Sequence, residues 1–299
     1  MDRHKLLITS VSRKVPLVKA AQAAVAKAGG GTVVGVDMDP NCLARYFVDE
    51  FIPCASLDVE EIVAMGVTAI LPTRDGELPF FAEHKNAFES HGISVMISPL
   101  HAVMLSLDKF HFSKKLHELG YPTPRTTLSI NDLDVEEFVV KERYGAGARA
   151  VGLRLRREEA KEFAASLSQP IFQPYIEGSE TSVDLFLSRH GKAKGAVCRT
   201  RDLVVGGESQ ISMTYQNADL ESSLSTLSEK IGLTGHVLFQ VINGQIIECN
   251  PRVGGASTLS FAAGLESLYW FLLEDEELPP FVLRDKVLRL IRYPEDWIL

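Results

Sequence analysis

Glu248, Asn250 and Arg252 close the stretch HVLFQVINGQIIECNPRVGGAS, residues 236–257. An Asn-Gly pair separates two apolar runs, which predicts a hairpin. Side chains of a strand alternate between faces, so Glu248 and Asn250, two apart, share one. Their oxygens suit a hard cation such as Mg²⁺, with Mn²⁺ as an alternative. Arg252, just beyond, is placed to grip a phosphate with two hydrogen bonds. Gln240 on the first strand is a third candidate ligand, and its facing depends on the turn. A strict two-residue loop at Asn243-Gly244 pairs Gln240 with Ile247. A three-residue loop about Gly244 sets it opposite Glu248. Both lengths are common. A plain structural reading, a solvated strand end after an ordinary turn, stands beside the chemical one.

Other stretches carry candidate chemistry. KERYGAGARAVG, residues 141–152, is rich in glycine, which lets backbone amides approach phosphate oxygens. It is no GxxxxGK[ST] loop, and no GxGxxG follows the first strand of the chain. IFQPYIEGSETSVDLF, residues 171–186, passes from a strand through an irregular link into another strand. That link exposes backbone groups able to read a purine edge, and Glu180 could accept from ribose hydroxyls. Arg199 and Arg201, two apart in RTRDLVVGGES, share a face and suit an anion. Each stretch has a plain alternative: a flexible turn, a connector, a solvated edge.

The elements that must position these residues fall into two patterns. Over the first hundred residues short apolar runs (6–9, 32–36, 67–71, 93–97) alternate with helical stretches (16–28, 78–91), which predicts a parallel sheet covered on both faces. Ligands of such sheets gather at the carboxyl ends of the strands. Asp37 and the Thr73-Arg74-Asp75 run with Glu77 fall there. Helices are expected over 98–105 and 108–119. Beyond them come strands at 138–141, 151–155 and 170–176, antiparallel strands over 181–215, a helix at 220–231, the hairpin, and helical segments over 258–273. This part is α+β.

The chain has 299 residues, enough for about two domains, and 45% apolar residues for its core. Its net charge of −8 argues against a nucleic-acid partner while leaving room for a local basic pocket. Four cysteines, none at CxxC spacing, read as free thiols of a reducing compartment. No signal sequence or membrane span is expected, which points to a cytoplasmic protein. A homodimer is the default assembly.

In order along the chain, these stretches resemble the ATP-grasp superfamily, in particular the short, single-unit relatives of the carbamoyl-phosphate synthase large subunit. ITSVSRKVPLVKA, VGVDMDP and PTRDGELP look like its Rossmann-like pre-ATP-grasp domain, and LDKFHFSKKLHELGYPTP like the entry into the grasp. The resemblance implies a fold that is α/β and then α+β: a Rossmann-like domain over 1–100, then an ATP-grasp fold of two α+β subdomains, 101–172 (glycine-rich loop 143–150) and 173–299, the latter with the metal site. It makes Lys109 and Lys141 the phosphate-contacting lysines and Gly145, Ala146 and Gly147 part of the mobile loop. Gln173, Tyr175 and Ile176 become the adenine hinge and Glu180 the ribose acid. Gln240, Glu248 and Asn250 become Mg²⁺ ligands, and Arg252 holds the transferring phosphate. Two departures stand out. Many superfamily members carry an acid where this chain has Gln240, and the hairpin is short.

The resemblance implies an ATP-dependent carboxylate–amine ligase that forms an acyl phosphate on a small acid or amino acid and passes it to an amine. Arg252 and Lys141 would be its catalytic groups. Arg74, Asp75, Glu77, Arg199, Arg201 and Glu208 are candidates for holding substrate. The alternatives are a kinase-like or carbamoyl-phosphate-forming enzyme that releases the acyl phosphate, and a nucleotide-binding regulatory protein without turnover.

Overall fold

The computed structural model describes residues 4–54, 56, 58–145, 150–273, 278–284 and 287–298. Five parallel strands open the chain: β1 (His4–Ile8), β2 (Gly31–Asp37), β3 (Glu50–Pro53), β4 (Ala69–Leu71) and β5 (Ser94–Val95). They lie in the order β3-β2-β1-β4-β5. Strand alternation sends Leu6 and Ile8 into one apolar layer and Leu7 into the other. Helices α1 (Val15–Lys27), α2 (Val59–Ala64), α3 (Leu78–Glu83) and α4 (Lys85–Ser90) belong to this unit. The helix expected over 78–91 is two helices. His84, with φ −96° and ψ 10°, ends one and starts the next, and its Nδ1 sits 2.9 Å from the Phe80 carbonyl oxygen. Two helices follow, α5 (Leu100–Leu107) and α6 (Lys109–Glu118), the second capped by the Asp108 carboxylate on the amides of Phe110 and His111.

A three-stranded antiparallel sheet comes next, in the order β7-β6-β8, from β6 (Phe138–Glu142), β7 (Val151–Leu155) and β8 (Pro170–Pro174). Helix α7 (Arg157–Ala165) covers it over a core of Phe138, Val140, Ala160 and Phe172. The chain then enters a larger sheet of β9 (Glu180–Leu187), β10 (Ala193–Thr200), β11 (Leu203–Val205) and β12 (Glu208–Tyr215). After helix α8 (Ala218–Lys230) come the hairpin strands β13 (Gly235–Ile242) and β14 (Gln245–Asn250). The order is β11-β12-β10-β9-β13-β14. Helices α9 (Ser257–Ala262) and α10 (Ser267–Leu273) follow, and a late strand, β15 (Arg289–Ile291), pairs with β12.

The first and last units share one core. Leu17 and Val18 of α1 join Leu268 and Trp270 of α10 and Phe186 of β9 in a single buried cluster. Near the carboxyl end, Trp297 meets Phe47 edge-on at 4.9 Å, with the Lys19 ammonium over its ring. Among the described residues no helix is long and apolar enough to cross a membrane.

Candidate active site

The hairpin resolves the facing of Gln240 by a route that neither expected loop length provides. Asn243 (φ 47°) and Gly244 (φ 75°) form a two-residue turn with both residues left-handed. Ile242 pairs with Gln245 and Val241 with Ile246, as that turn dictates. The register then shifts, and Gln240 pairs with Glu248. Ile247 is the extra residue of a β-bulge, and it restores the alignment that a three-residue loop would have made. Asn250 pairs with Leu238 and donates from Nδ2 to Glu248 Oε1 at 3.2 Å.

Strand pairing extends this row across the sheet. Glu248 opposes Gln240, Gln240 opposes Ser182, and Ser182 opposes Arg199. Opposed residues share a face. A cavity of about 480 Å³ lies over that face, between the large and the three-stranded sheet. From the large sheet, Gln240, Glu248, Asn250, Arg252, Glu180, Arg199, Arg201 and Glu208 line it. Lys109, Lys141, Gly145, Gln173, Tyr175 and Ile176 line it from the other side. Ala146 and Gly147 lie outside the described residues. A cavity of about 630 Å³ on the other face of the hairpin gathers no basic side chain among the described residues lining it, which disfavours a polyphosphate there.

The electrostatics of the first cavity follow from burial. Lys141 is 6% exposed, and desolvation brings its ammonium down to about 8, with Glu248 working against the shift and Lys109 adding to it. Lys109, also buried, donates from Nζ to the Gly145 carbonyl at 2.5 Å, tying α6 to the start of the glycine-rich stretch. Burial raises the Glu180 carboxyl, and the nearby Arg201 opposes that shift. Gln173 donates to Thr126 Oγ1 at 2.8 Å. Tyr175 spends its amide on the Glu137 carbonyl at 2.9 Å, while the Ile176 amide has no protein partner among the described residues.

Arg252 is held from outside its own unit. Its Nε and Nη2 donate to the two oxygens of Asp75 at 2.6 and 2.7 Å, and Nη1 donates to the Val253 carbonyl at 3.1 Å. Burial opposes its charge, and the Asp75 pair more than offsets this, so its pKa is raised. Two of its five N–H groups remain beyond these bonds. The substrate candidates Arg74, Asp75 and Glu77 are not among the described residues that line this cavity. Asp75 is committed to Arg252, and Arg74 is exposed. Glu77 is a buried brace. It accepts from the hydroxyls of Thr9 and Ser10 and from the amides of Thr73 and Arg74, leaving little capacity for a ligand. Glu208 lines the cavity but pairs with Arg292 at 2.7 Å.

A buried polar centre behind the cavity was not foreseen. Asp184 accepts from Arg199 Nε at 2.7 Å, Ser257 Oγ at 2.5 Å and Ser260 Oγ at 2.6 Å, and lies 3.1 Å from His236 Nε2. Burial pushes its carboxyl up, yet Arg199 and His236 prevail and hold it well below the usual carboxylate range. The signal was in the strand itself: Glu180, Ser182 and Asp184 place three polar side chains on one face of an otherwise apolar run. Asp108 was missed likewise. It pairs with Arg143 at 2.6 Å and accepts from the Tyr144 hydroxyl at 2.7 Å, bracing the strand end next to Lys109.

Comparison with known proteins bears on the family and the fold. Residues 106–256 match the family model described as ATP-grasp domain, and residues 6–96 the one described as PylC-like, N-terminal domain. Carbamoyl-phosphate synthase of Methanobrevibacter smithii is 27% identical over 133 residues, which cover 41% of this chain and 36% of that protein. Carbamoyl phosphate synthase large chain of Pyrococcus furiosus is 20% identical over 206 residues, 59% of this chain and 20% of that protein. The chain therefore spans well under half the length of either. Three solved structures share the fold. The biotin carboxylase domain of Hydrogenobacter thermophilus 2-oxoglutarate carboxylase, a dimer with MgADP, ADP and bicarbonate, has a TM-score of 0.72 at 16% identity, covering 92% of this chain and 70% of that one. N5-carboxyaminoimidazole synthetase of Staphylococcus aureus, with ADP, has 0.70 at 16%, covering 93% and 79%. L-amino acid ligase of Bacillus licheniformis has 0.63 at 18%, covering 90% and 73%. With its PylC-like N-terminal domain and the match over 106–256, the chain belongs to the ATP-grasp family.

Proposed function

We propose that the chain is an ATP-dependent carboxylate–amine ligase acting on a small acid or amino acid through an acyl phosphate. One observation carries this reading. The bulge at Ile247 sets Gln240 opposite Glu248, in the cavity that also gathers Lys109, Lys141 and Arg252. The donor set fits a nucleotide and its metal: oxygen ligands from Gln240, Glu248 and Asn250 stand beside three cationic side chains. Bound there, Mg²⁺ would supply charge neutralisation across the phosphate oxygens. Lys109 and Lys141 offset the remaining charge, and Arg252, oriented by Asp75, donates to the phosphoryl group in transfer. The Ile176 amide and Gln173 face the base, and Glu180 accepts from the ribose. A substrate carboxylate oxygen attacks the γ-phosphorus as ADP leaves. An amine nitrogen then attacks the acyl carbon, phosphate leaves, and the nitrogen loses a proton.

In this reading residues 1–100 form the Rossmann-like domain, 101–172 and 173–299 the two halves of the grasp, and the protein works in the cytoplasm as a homodimer. The test is ADP release with Mg²⁺, ATP and pooled amino acids. Glu248→Ala or Arg252→Ala should abolish it with the fold intact, and wild-type turnover in either variant removes that residue's role. The similarity to carbamoyl-phosphate synthases supports a second reading, release of the acyl phosphate. ADP formation that needs no added amine would favour it.

A further inference from the structure

The carboxyl-terminal stretch carries an arginine to the rim of the cavity between the two sheets. Residues 288–292 run antiparallel along one edge of β12. That edge faces away from β11, because Ile211 pairs with Leu203 on one side and with Ile291 on the other. The Leu288 amide donates to Thr214 Oγ1 at 2.7 Å, its carbonyl accepts from the Thr214 amide at 2.8 Å, and the Arg292 amide donates to the Gln210 carbonyl at 2.9 Å. The ladder thus ends next to Glu208. There the Arg292 guanidinium joins two parts of the rim: Nη1 donates to Glu208 Oε2 at 2.7 Å, and Nη2 donates to the Gly255 carbonyl. Glu208 and Gly255 both line the cavity.

Gly255 belongs to the turn over 251–256 that follows Asn250 and carries Arg252. Within its own unit this turn is tied by Ser257 Oγ, which accepts from the Gly254 amide at 2.9 Å. Asp75, on Arg252, ties it directly to the N-terminal unit. The Arg292 tie leads to the same unit by a longer route. Further along, Trp297 meets Phe47 edge-on at 4.9 Å, with Lys19 Nζ 5.3 Å from the centre of its ring. The longer route is built to yield. Residues 293–298 are exposed and belong to no helix or strand. Segments with so few buried contacts open locally at small cost in free energy. We propose that residues 288–298 form a strap whose docking holds the Arg252 turn in place, with Arg292 as a positioning residue. This rests on the reading of the cavity as an ATP site in which Arg252 holds the phosphate in transfer. Coupling between two sites is reciprocal. A docked strap favours the grip on the γ-phosphate, and a bound γ-phosphate favours the docked strap by the same factor. A nucleotide without that phosphate leaves the strap as it was.

The test uses the whole chain with Mg²⁺. Calorimetry measures binding of ADP and of the β,γ-imido analogue of ATP, and iodide quenching of tryptophan emission follows Trp297, since Trp270 is sealed at 2% exposure. Arg292→Gln should weaken the imido analogue about fivefold or more, the low end of coupling between distinct sites, and leave ADP within about twofold of wild type. Trp297→Ala, at the far end of the strap and outside the cavity lining, should weaken the analogue with the same selectivity. The double variant should match the weaker-binding single variant within about twofold, because both act through one strap. In the wild type the imido analogue should lower the quenching of Trp297 and ADP should not; in Arg292→Gln neither should. Equal weakening of both nucleotides by Arg292→Gln would mark a merely structural contact and overturn the proposal. Unchanged affinity for the analogue in either single variant overturns it too, as do effects that multiply in the double variant or quenching that the analogue leaves unaltered. A wild type that binds neither nucleotide refutes the ATP site itself, and the strap's role with it.

Discussion

Asp75 and Arg252 join the N-terminal unit to the large sheet, and Asp75→Asn tests what that join does. Both hydrogen bonds are short, and the side chains are 13% and 17% exposed. Breaking a fully buried ion pair costs about 3–5 kcal/mol, and breaking a surface pair about 1 or less. Partial exposure puts this pair between the limits. Asparagine keeps one acceptor, so the expected loss is about 1–2 kcal/mol, or roughly 2–4 °C in Tm for a chain of this size. The larger effect should be on turnover. With one acceptor left at position 75, Arg252 keeps a single bond there beside its bond to the Val253 carbonyl, and a guanidinium no longer held by both oxygens should slow ADP formation about ten- to hundredfold. Thermal denaturation of Asp75→Asn, Arg252→Gln and the double variant gives the coupling energy, expected at about 1 kcal/mol or more. Coupling near zero would refute the pair as a stabilising contact. Wild-type ADP formation by Asp75→Asn would refute its part in orienting Arg252.

Three further outcomes follow from particular residues. Because burial brings Lys141 down to about 8, nucleotide affinity should fall about tenfold per pH unit above that value, and Lys141→Arg should flatten the profile; calorimetric titration from pH 7 to 9.5 checks both. The same group binds its proton less tightly in the folded chain than at its ordinary 10.5, so its contribution to stability should rise with pH between about 8 and 10.5, as denaturation midpoints would report. Gly31→Ala should cost about 2–4 kcal/mol, seen as a lower urea midpoint, because a Cβ there would lie 1.9 Å from the His4 carbonyl oxygen and φ is +147°.

The sequence carried the order of most strands and helices because apolar alternation and glycine stops are local signals. It was weakest where a neighbour decides. EFIP (50–53) and RLI (289–291) are too short to announce themselves, and they become β3 and β15 by pairing with β2 and β12. The facing of Gln240 was open because loop length and bulge trade against each other, and only the pairing of both strands reveals Ile247 as the extra residue. The protein partners of Asp75 and Glu77 were illegible for the same reason. Their partners are 177 residues away in one case and split between two loops in the other. Ser209 is unremarkable in the string and conspicuous only once its burial is known.

The two tryptophans have a practical consequence. Trp270 is sealed in the shared core at 2% exposure, whereas Trp297 is 58% exposed against Phe47. Iodide should therefore quench one emission band, at longer wavelength, and spare the other. Light from a single unlabelled sample would then distinguish peeling of the carboxyl-terminal segment from melting of the interior.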